Sequence, residues 1–276
     1  MSNIRDIRDD LPMSMTMAAF VGISWYIGAE VNVSLFMLFK RWRGLYFWSC
    51  ALSSWGLILQ PLFIILADFE VWTDLKGSIT MIALTWVIMV VPQSWVLYSR
   101  LHLVMHEEKT LRWLMAALVF NSIVFSVPTV VIETLAQVTT VNPHLSDIQM
   151  TWDRIQLTVF FFQETFLSIL YIHQTRKRLR DSSMLFKAPF SPSSIATRSM
   201  TEQAKVLYRL IYANLLVIAL DIALLGIQYA NLFYVQGAFK PCVYGIKLKV
   251  EFVILNSLIE SLRARGSSEM HMQPLT

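Results

Sequence analysis

Lys247 and Glu251 stand four residues apart in KPCVYGIKLKVEFVILNSL (240–258), a mostly apolar stretch. At that spacing two side chains share one helical face, so they read as an ion pair across a single turn. Lys249 is rotated about 200° from Lys247 and needs a different partner. Asp221, in ANLLVIALDIALLGIQYANL (213–232), is a second candidate for Lys247. Consecutive spanning helices run in opposite directions, which leaves both residues in the same half of the bilayer. A charge at the bilayer centre costs at least ~3 kcal/mol on insertion scales, so such groups face the bundle interior and pair there. They can equally take part in proton chemistry.

Glu164 has different surroundings. VFFFQETFLSIL (159–170) places Phe160, Phe161, Phe162 and Phe166 around it and no cation nearby in sequence. Desolvation disfavours a bare carboxylate, so Glu164 is expected to hold a proton, or else to bond an amide such as Gln163 or Gln93. Glu30 lies in SWYIGAEVNVS (24–34), where Gly28, Ala29 and Ser34 permit close helix contact; it reads as interhelical glue or as a fourth acid. Together these groups could run a protonation-initiated reaction, which needs a neutral acid, a lining of aromatics and a final base. Glu164 would donate the proton. Asp221 and Glu251 would tune it or take the last proton, with Lys247 balancing their charge. Trp55 and Trp86 have suitable depth to offer π faces to a cationic intermediate, and Phe161, Gln93 and Lys247 would complete the pocket. Pro92, beside Gln93 in VVPQSWVLYSR, frees a backbone carbonyl and can widen a cavity. Packing kinks and interfacial belts are the plainer uses of these prolines and aromatics. Asp9 and Asp10 are adjacent but terminal, so no metal site and no cofactor is expected.

The elements that must carry these groups follow from composition. The 276 residues are 55% hydrophobic and 15% charged, with a mean hydropathy of +0.53, which excludes an ordinary soluble domain. A spanning helix needs about 20 mostly apolar residues. Such runs fall at 15–39, 45–67, 78–101, 111–137, 154–174, 207–230 and 241–262. The expected fold is all-α: a polytopic bundle of seven transmembrane helices over 15–262. A polar tail (1–14), a mobile cytosolic loop (175–206) and a cytosolic tail (263–276) flank or interrupt it. The amino-terminal MSNIRDIRDDLPMSM lacks a basic n-region, so the first helix is expected to be retained. Cys50 and Cys242 sit in different segments and imply no disulfide framework.

The net charge of +4 gathers in runs beside the apolar segments, a pattern of lipid headgroups as neighbours and not nucleic acid. Lys40, Arg41, Arg43, Lys109, Arg112, Arg263 and Arg265 share one side with Arg176, Lys177, Arg178 and Arg180. The positive-inside rule makes that side cytosolic and the amino terminus lumenal or exterior. The expected location is the endoplasmic reticulum or another endomembrane, with Arg176, Lys177, Arg178 and Arg180 available to anionic lipid.

Other seven-helix classes fit poorly. Arg100 ends the third segment as a receptor's switch arginine would, but Ser99 and Leu101 do not complete the acidic-Arg-aromatic triplet, and LNSLIE lacks the Asn-Pro-x-x-Tyr pattern. A retinal protein could use Lys247, yet the third segment has no acid and Asp221 would have to substitute. No internal repeat suggests a transporter.

The stretches RWRGLYFWS (41–49), QSWVLYSRLHLV (93–104), VFFFQETFLSILYI (159–172), 213–232 and 240–258 together resemble a group of fungal seven-helix integral membrane proteins. That group is close to the membrane-bound terpene cyclases of meroterpenoid pathways, of the ascofuranone and macrophorin type. The resemblance covers about residues 20–260. It implies a lipophilic, farnesylated and sometimes epoxidised substrate, closed into rings after protonation. The first expectation is a metal-independent membrane cyclase for a lipophilic prenylated substrate of secondary metabolism; the alternative is a non-catalytic sensor or scaffold held together by buried charges.

Overall fold

The computed structural model describes residues 11–39, 44–69, 71, 75–105, 107–138, 143–185, 193–230 and 233–270. Side chains of 75–76, 103–104, 136–138, 143–147, 178–185, 193–207, 233–234 and 257–270 fall outside that description. Seven helices follow in order: α1 (Leu11–Leu38), α2 (Leu45–Asp68), α3 (Leu75–Val104), α4 (Glu108–Val138), α5 (Pro143–Leu185), α6 (Ser193–Tyr229) and α7 (Phe233–Met270). Short connections make successive helices antiparallel neighbours. The first six are long and apolar enough to cross a membrane.

The seventh, α7, is different: Lys240, Lys247, Lys249 and Glu251 interrupt its apolar character. Yet nearly every residue from Gln236 to Phe252 is buried or half-buried. α7 packs against α1, α2, α3 and α6, so a helix with four charges along its middle is held inside the bundle. α4 is its opposite, an apolar helix held at the periphery against α3 and α5. Its Trp113, Phe120, Ile123 and Val127 are exposed toward lipid.

The ends of the helices depart from the sequence expectation. The segment 175–206, expected to be a mobile loop, is helical over 175–185 and 193–206, and only 186–192 lies outside the described residues. No proline or glycine occurs between Gln174 and Pro189, so nothing breaks α5 where its apolar run stops. Residues 11–14 and 263–270, expected to be tails, are also helical; Pro12 fits the first turn, where its missing N–H has no helical acceptor to lose.

Packing between the spans uses small residues and hydroxyls. Gly56 on α2 meets the backbone of α3 so closely that a Cβ there would lie 2.7 Å from Met89 N and Cα. Beside it Ser53 Oγ donates to the Met89 carbonyl at 3.0 Å, three residues before Pro92. Across the α1–α2 seam, Ser24 Oγ donates to Leu57 O (3.0 Å) and Ser54 Oγ to Gly28 O (3.1 Å). α4 is tied to α5 where Trp152 Nε1 donates to Thr129 Oγ1 at 2.9 Å and Gln156 Oε1 meets the same hydroxyl. Thr129→Val removes both partners. Bonds of this kind inside membranes contribute about 0.6 and at most about 1.7 kcal/mol, so a modest fall in thermal stability in detergent, with the fold intact, is the expected result.

Candidate functional site

Three helices converge on one ammonium group. Lys247 on α7 is fully enclosed; its Nζ donates to Glu164 Oε2 of α5 at 2.7 Å and pairs with Asp221 Oδ1 of α6. The same Nζ sits 4.8 Å from the ring centre of Tyr244, one turn earlier. Glu164 Oε1 and Asp221 Oδ2 are buried without a hydrogen-bond partner. Two carboxylates thus face one cation, an excess of one negative charge that a single proton removes.

The expected bond of Lys247 to Glu251 is not formed. Glu251 instead pairs with Arg100 of α3, whose guanidinium lies 4.5 Å from the Tyr171 ring centre on α5. The energetic reason is a matter of scale. A bond between residues four apart on one helix contributes about 0.5 kcal/mol or less, whereas leaving Glu164, Asp221 or Arg100 buried and unpaired costs about 3–5 kcal/mol. Cross-helix pairing gives each of the five groups a partner of opposite charge. The other expected partner of Lys247, Asp221, is in place.

Glu164 likewise is not the isolated carboxyl its sequence neighbours suggested, because its cation comes from a helix 83 residues away. Gln163 turns elsewhere, accepting from Asn121 Nδ2 (2.5 Å) and donating to Ser94 Oγ (3.0 Å). Gln93 is buried, and its Oε1 has no hydrogen-bond partner. Glu30 does bridge helices, but by charge: Lys249 Nζ reaches its Oε2 at 2.6 Å on the half-exposed α1–α7 seam. Sequence reasoning missed Arg100 as the partner of Glu251. The available signal was its position within an apolar helix, four residues short of the end of α3.

The aromatic lining divides. Trp86 is buried with its ring 6.2 Å from Phe160, and Phe161 borders the charged cluster. Trp55 is 41% exposed, a correction to its expected place in the pocket. It stands one residue before Gly56, turned about 100° from the α2–α3 contact.

Between α5 and α6 lies a recess lined by Leu157, Phe160, Phe161, Leu224, Leu225 and Tyr244, with Glu164 and Asp221 at its wall. The space inside it is too small for even a water-sized guest, far below the roughly 300–1,000 Å³ of small-molecule sites. Large side chains fill the rest of the centre, Leu57, Met89, Leu224 and Leu248 among them. The expected guest-sized chamber is therefore replaced by a packed interior. Among the described residues no three His, Cys, Asp or Glu side chains gather as a metal site would require. Cys50 and Cys242 are free and buried.

Residues 9–268 match a family described as a domain of unknown function, DUF7703. The chain belongs to the DUF7703 family. No curated protein matches it. The matched span runs through all seven helices, so both ion clusters of this DUF7703 chain are part of the family domain. Arg176 and Lys177, exposed at the end of the α5 span, also fall within it. The side chains of Arg178 and Arg180 lie outside the described residues, as do residues 40–43 and the side chains of Arg263 and Arg265.

Proposed function

We propose that this DUF7703 protein is a non-catalytic, proton-responsive seven-helix membrane protein, a sensor whose switch is the Lys247–Glu164–Asp221 cluster. The observation that carries this reading is the competition of two acids on different helices for one ammonium group on a third. With one carboxyl protonated the cluster is neutral and compact. With both ionised, a buried negative charge is left over and the α5–α6–α7 junction is strained apart. Binding or release of one proton thereby changes how firmly α5 and α6 are held to α7. The packed centre supports such a role, since a packed core with two arrangements converts a local charge change into helix movement. In this reading the amino terminus is lumenal or exterior, and the side bearing Arg112, Arg176 and Lys177 is cytosolic.

The test uses spin labels on α6 and α7 of the protein in lipid nanodiscs. The interhelix distance is expected to change on titration in the parent and to stay fixed in Glu164→Gln and in Asp221→Asn, each of which removes the surplus acid. Folded parent protein with a pH-independent distance would retire the switch.

The recess gives a second reading its footing. Aromatic and aliphatic side chains beside two acids are the ingredients of a protonation-initiated cyclase acting on a prenylated, lipophilic substrate, as the family resemblance implies. α5 and α6 would have to part to admit it. Membranes carrying the protein, incubated with farnesylated phenol epoxides, decide the matter: cyclised product that is lost in Glu164→Gln would establish catalysis and displace the sensor.

A further inference from the structure

The inner face of α5 carries a line of polar groups beside the buried Leu157, Phe160 and Leu167. Glu164, Ser168, Tyr171 and Thr175 recur at spacings of four, three and four, and all four are buried. Phe162, Phe166 and Ile169 occupy the opposite, lipid-exposed face. At 1.5 Å per residue this stripe covers about 16 Å, from the charged cluster to the end of the α5 span at Lys177.

Many helix hydroxyls in the protein are satisfied by a carbonyl: Thr85, Ser122, Thr134 and Thr158 donate back to Met81, Leu118, Val130 and Arg154, four residues earlier, and Ser24, Ser53 and Ser54 donate to a neighbouring helix. A smaller set of buried hydroxyls, those of Ser78, Ser126 and Thr165 among them, lacks a hydrogen-bond partner. Ser168 Oγ and Thr175 Oγ1 make no hydrogen bond and are buried. A buried hydroxyl of this kind retains one donor and two acceptor sites, the capacity that handing a proton along requires. Tyr171, between them, lies against Arg100, whose charge Glu251 neutralises, so no net positive charge bars the way.

We propose that Thr175, Tyr171 and Ser168 form a one-sided proton path that connects Glu164 to water on the face bearing Arg176 and Lys177. Each hydroxyl accepts a proton on one side and releases its own on the other, so every hop leaves the residue unchanged and one proton arrives at the carboxylate. A bridging water completes any step too long for direct transfer. This rests on the proton-responsive reading of the cluster and adds its sidedness: the site reports the pH of one compartment. On the other side of the cluster stand the buried Gln228–Gln236 pair and Lys240 with Asp153 at 3.6 Å, with no such line of free hydroxyls among the residues that line the recess there.

Infrared spectroscopy of the protein in nanodiscs, following the shift of the protonated-carboxyl band after transfer to deuterated buffer, tests the path apart from the switch. Ser168→Ala and Thr175→Val are expected to slow the exchange about tenfold each, the effect of losing one hydrogen-bonded step of roughly 1.4 kcal/mol. Thr158→Val, whose hydroxyl bonds its own helix, should leave the rate unchanged. Equal rates in all three variants and the parent would overturn the path while leaving the switch standing. The absence of a protonated-carboxyl band sensitive to Glu164→Gln or Asp221→Asn would remove both.

Discussion

Lys247→Met is expected to abolish most of the folded yield. The substitution keeps an unbranched side chain one atom shorter and removes its charge, leaving Glu164 and Asp221 enclosed beside each other with no cation. Breaking a buried ion cluster by deleting one partner costs about 3–5 kcal/mol, a large part of the 5–15 kcal/mol typical of a whole folded protein. Size-exclusion chromatography in mild detergent should show loss of the monodisperse species. The cause is separable from loss of packing, because the triple variant Lys247→Met, Glu164→Gln, Asp221→Asn removes the stranded charges as well and should recover most of the yield. Glu164→Gln alone should be far milder, since Asp221 still holds the ammonium. A Lys247→Met protein as stable as the parent would mean that the cluster contributes nothing to assembly.

Gly56→Ala should be the most damaging single methyl in the molecule. Its Cβ would sit 2.7 Å from the Met89 backbone, and backbone has no rotamer with which to retreat, so α2 and α3 must separate along their whole contact. Overpacking of this kind costs about 1–3 kcal/mol and occasionally more. The separation also stretches the Ser53 bond to the Met89 carbonyl. Gly22→Ala is the matched control, because nothing lies within 4 Å of the Cβ it would add. Melting temperatures in the same detergent should fall sharply for Gly56→Ala and hardly at all for Gly22→Ala. Equal melting temperatures would show that the α2–α3 seam tolerates displacement.

Hydropathy alone located the helices, because a bilayer forces every spanning backbone to satisfy its hydrogen bonds internally, and the run length then fixes the element. The ends were less legible. α5 continues past its apolar run in a charged sequence with no breaker, and polarity was read there as irregularity. The identities of the buried charges were also legible, since Glu164, Asp221, Lys247 and Glu251 are conspicuous in apolar segments. Their pairing was not, except for Asp221 with Lys247. A within-helix spacing of four is visible in sequence, but Arg100 and Glu251 are 151 residues apart in the chain, and nothing local announces which helices touch. The direction of Trp55 depended in the same way on a contact made by its neighbour, Gly56. Whether the interior held a chamber was beyond reach from sequence, because it depends on how Leu57, Met89, Leu224 and Leu248 interdigitate.

The charges of α7 also bear on how the protein is made. A segment holding Lys240, Lys247, Lys249 and Glu251 partitions poorly into lipid by itself, and it leaves the ribosome after α1–α6. Its insertion therefore depends on α3, α5 and α6 already standing in the bilayer with Arg100, Glu164 and Asp221 waiting, so α7 enters by a capture step in which the earlier helices act as its solvent.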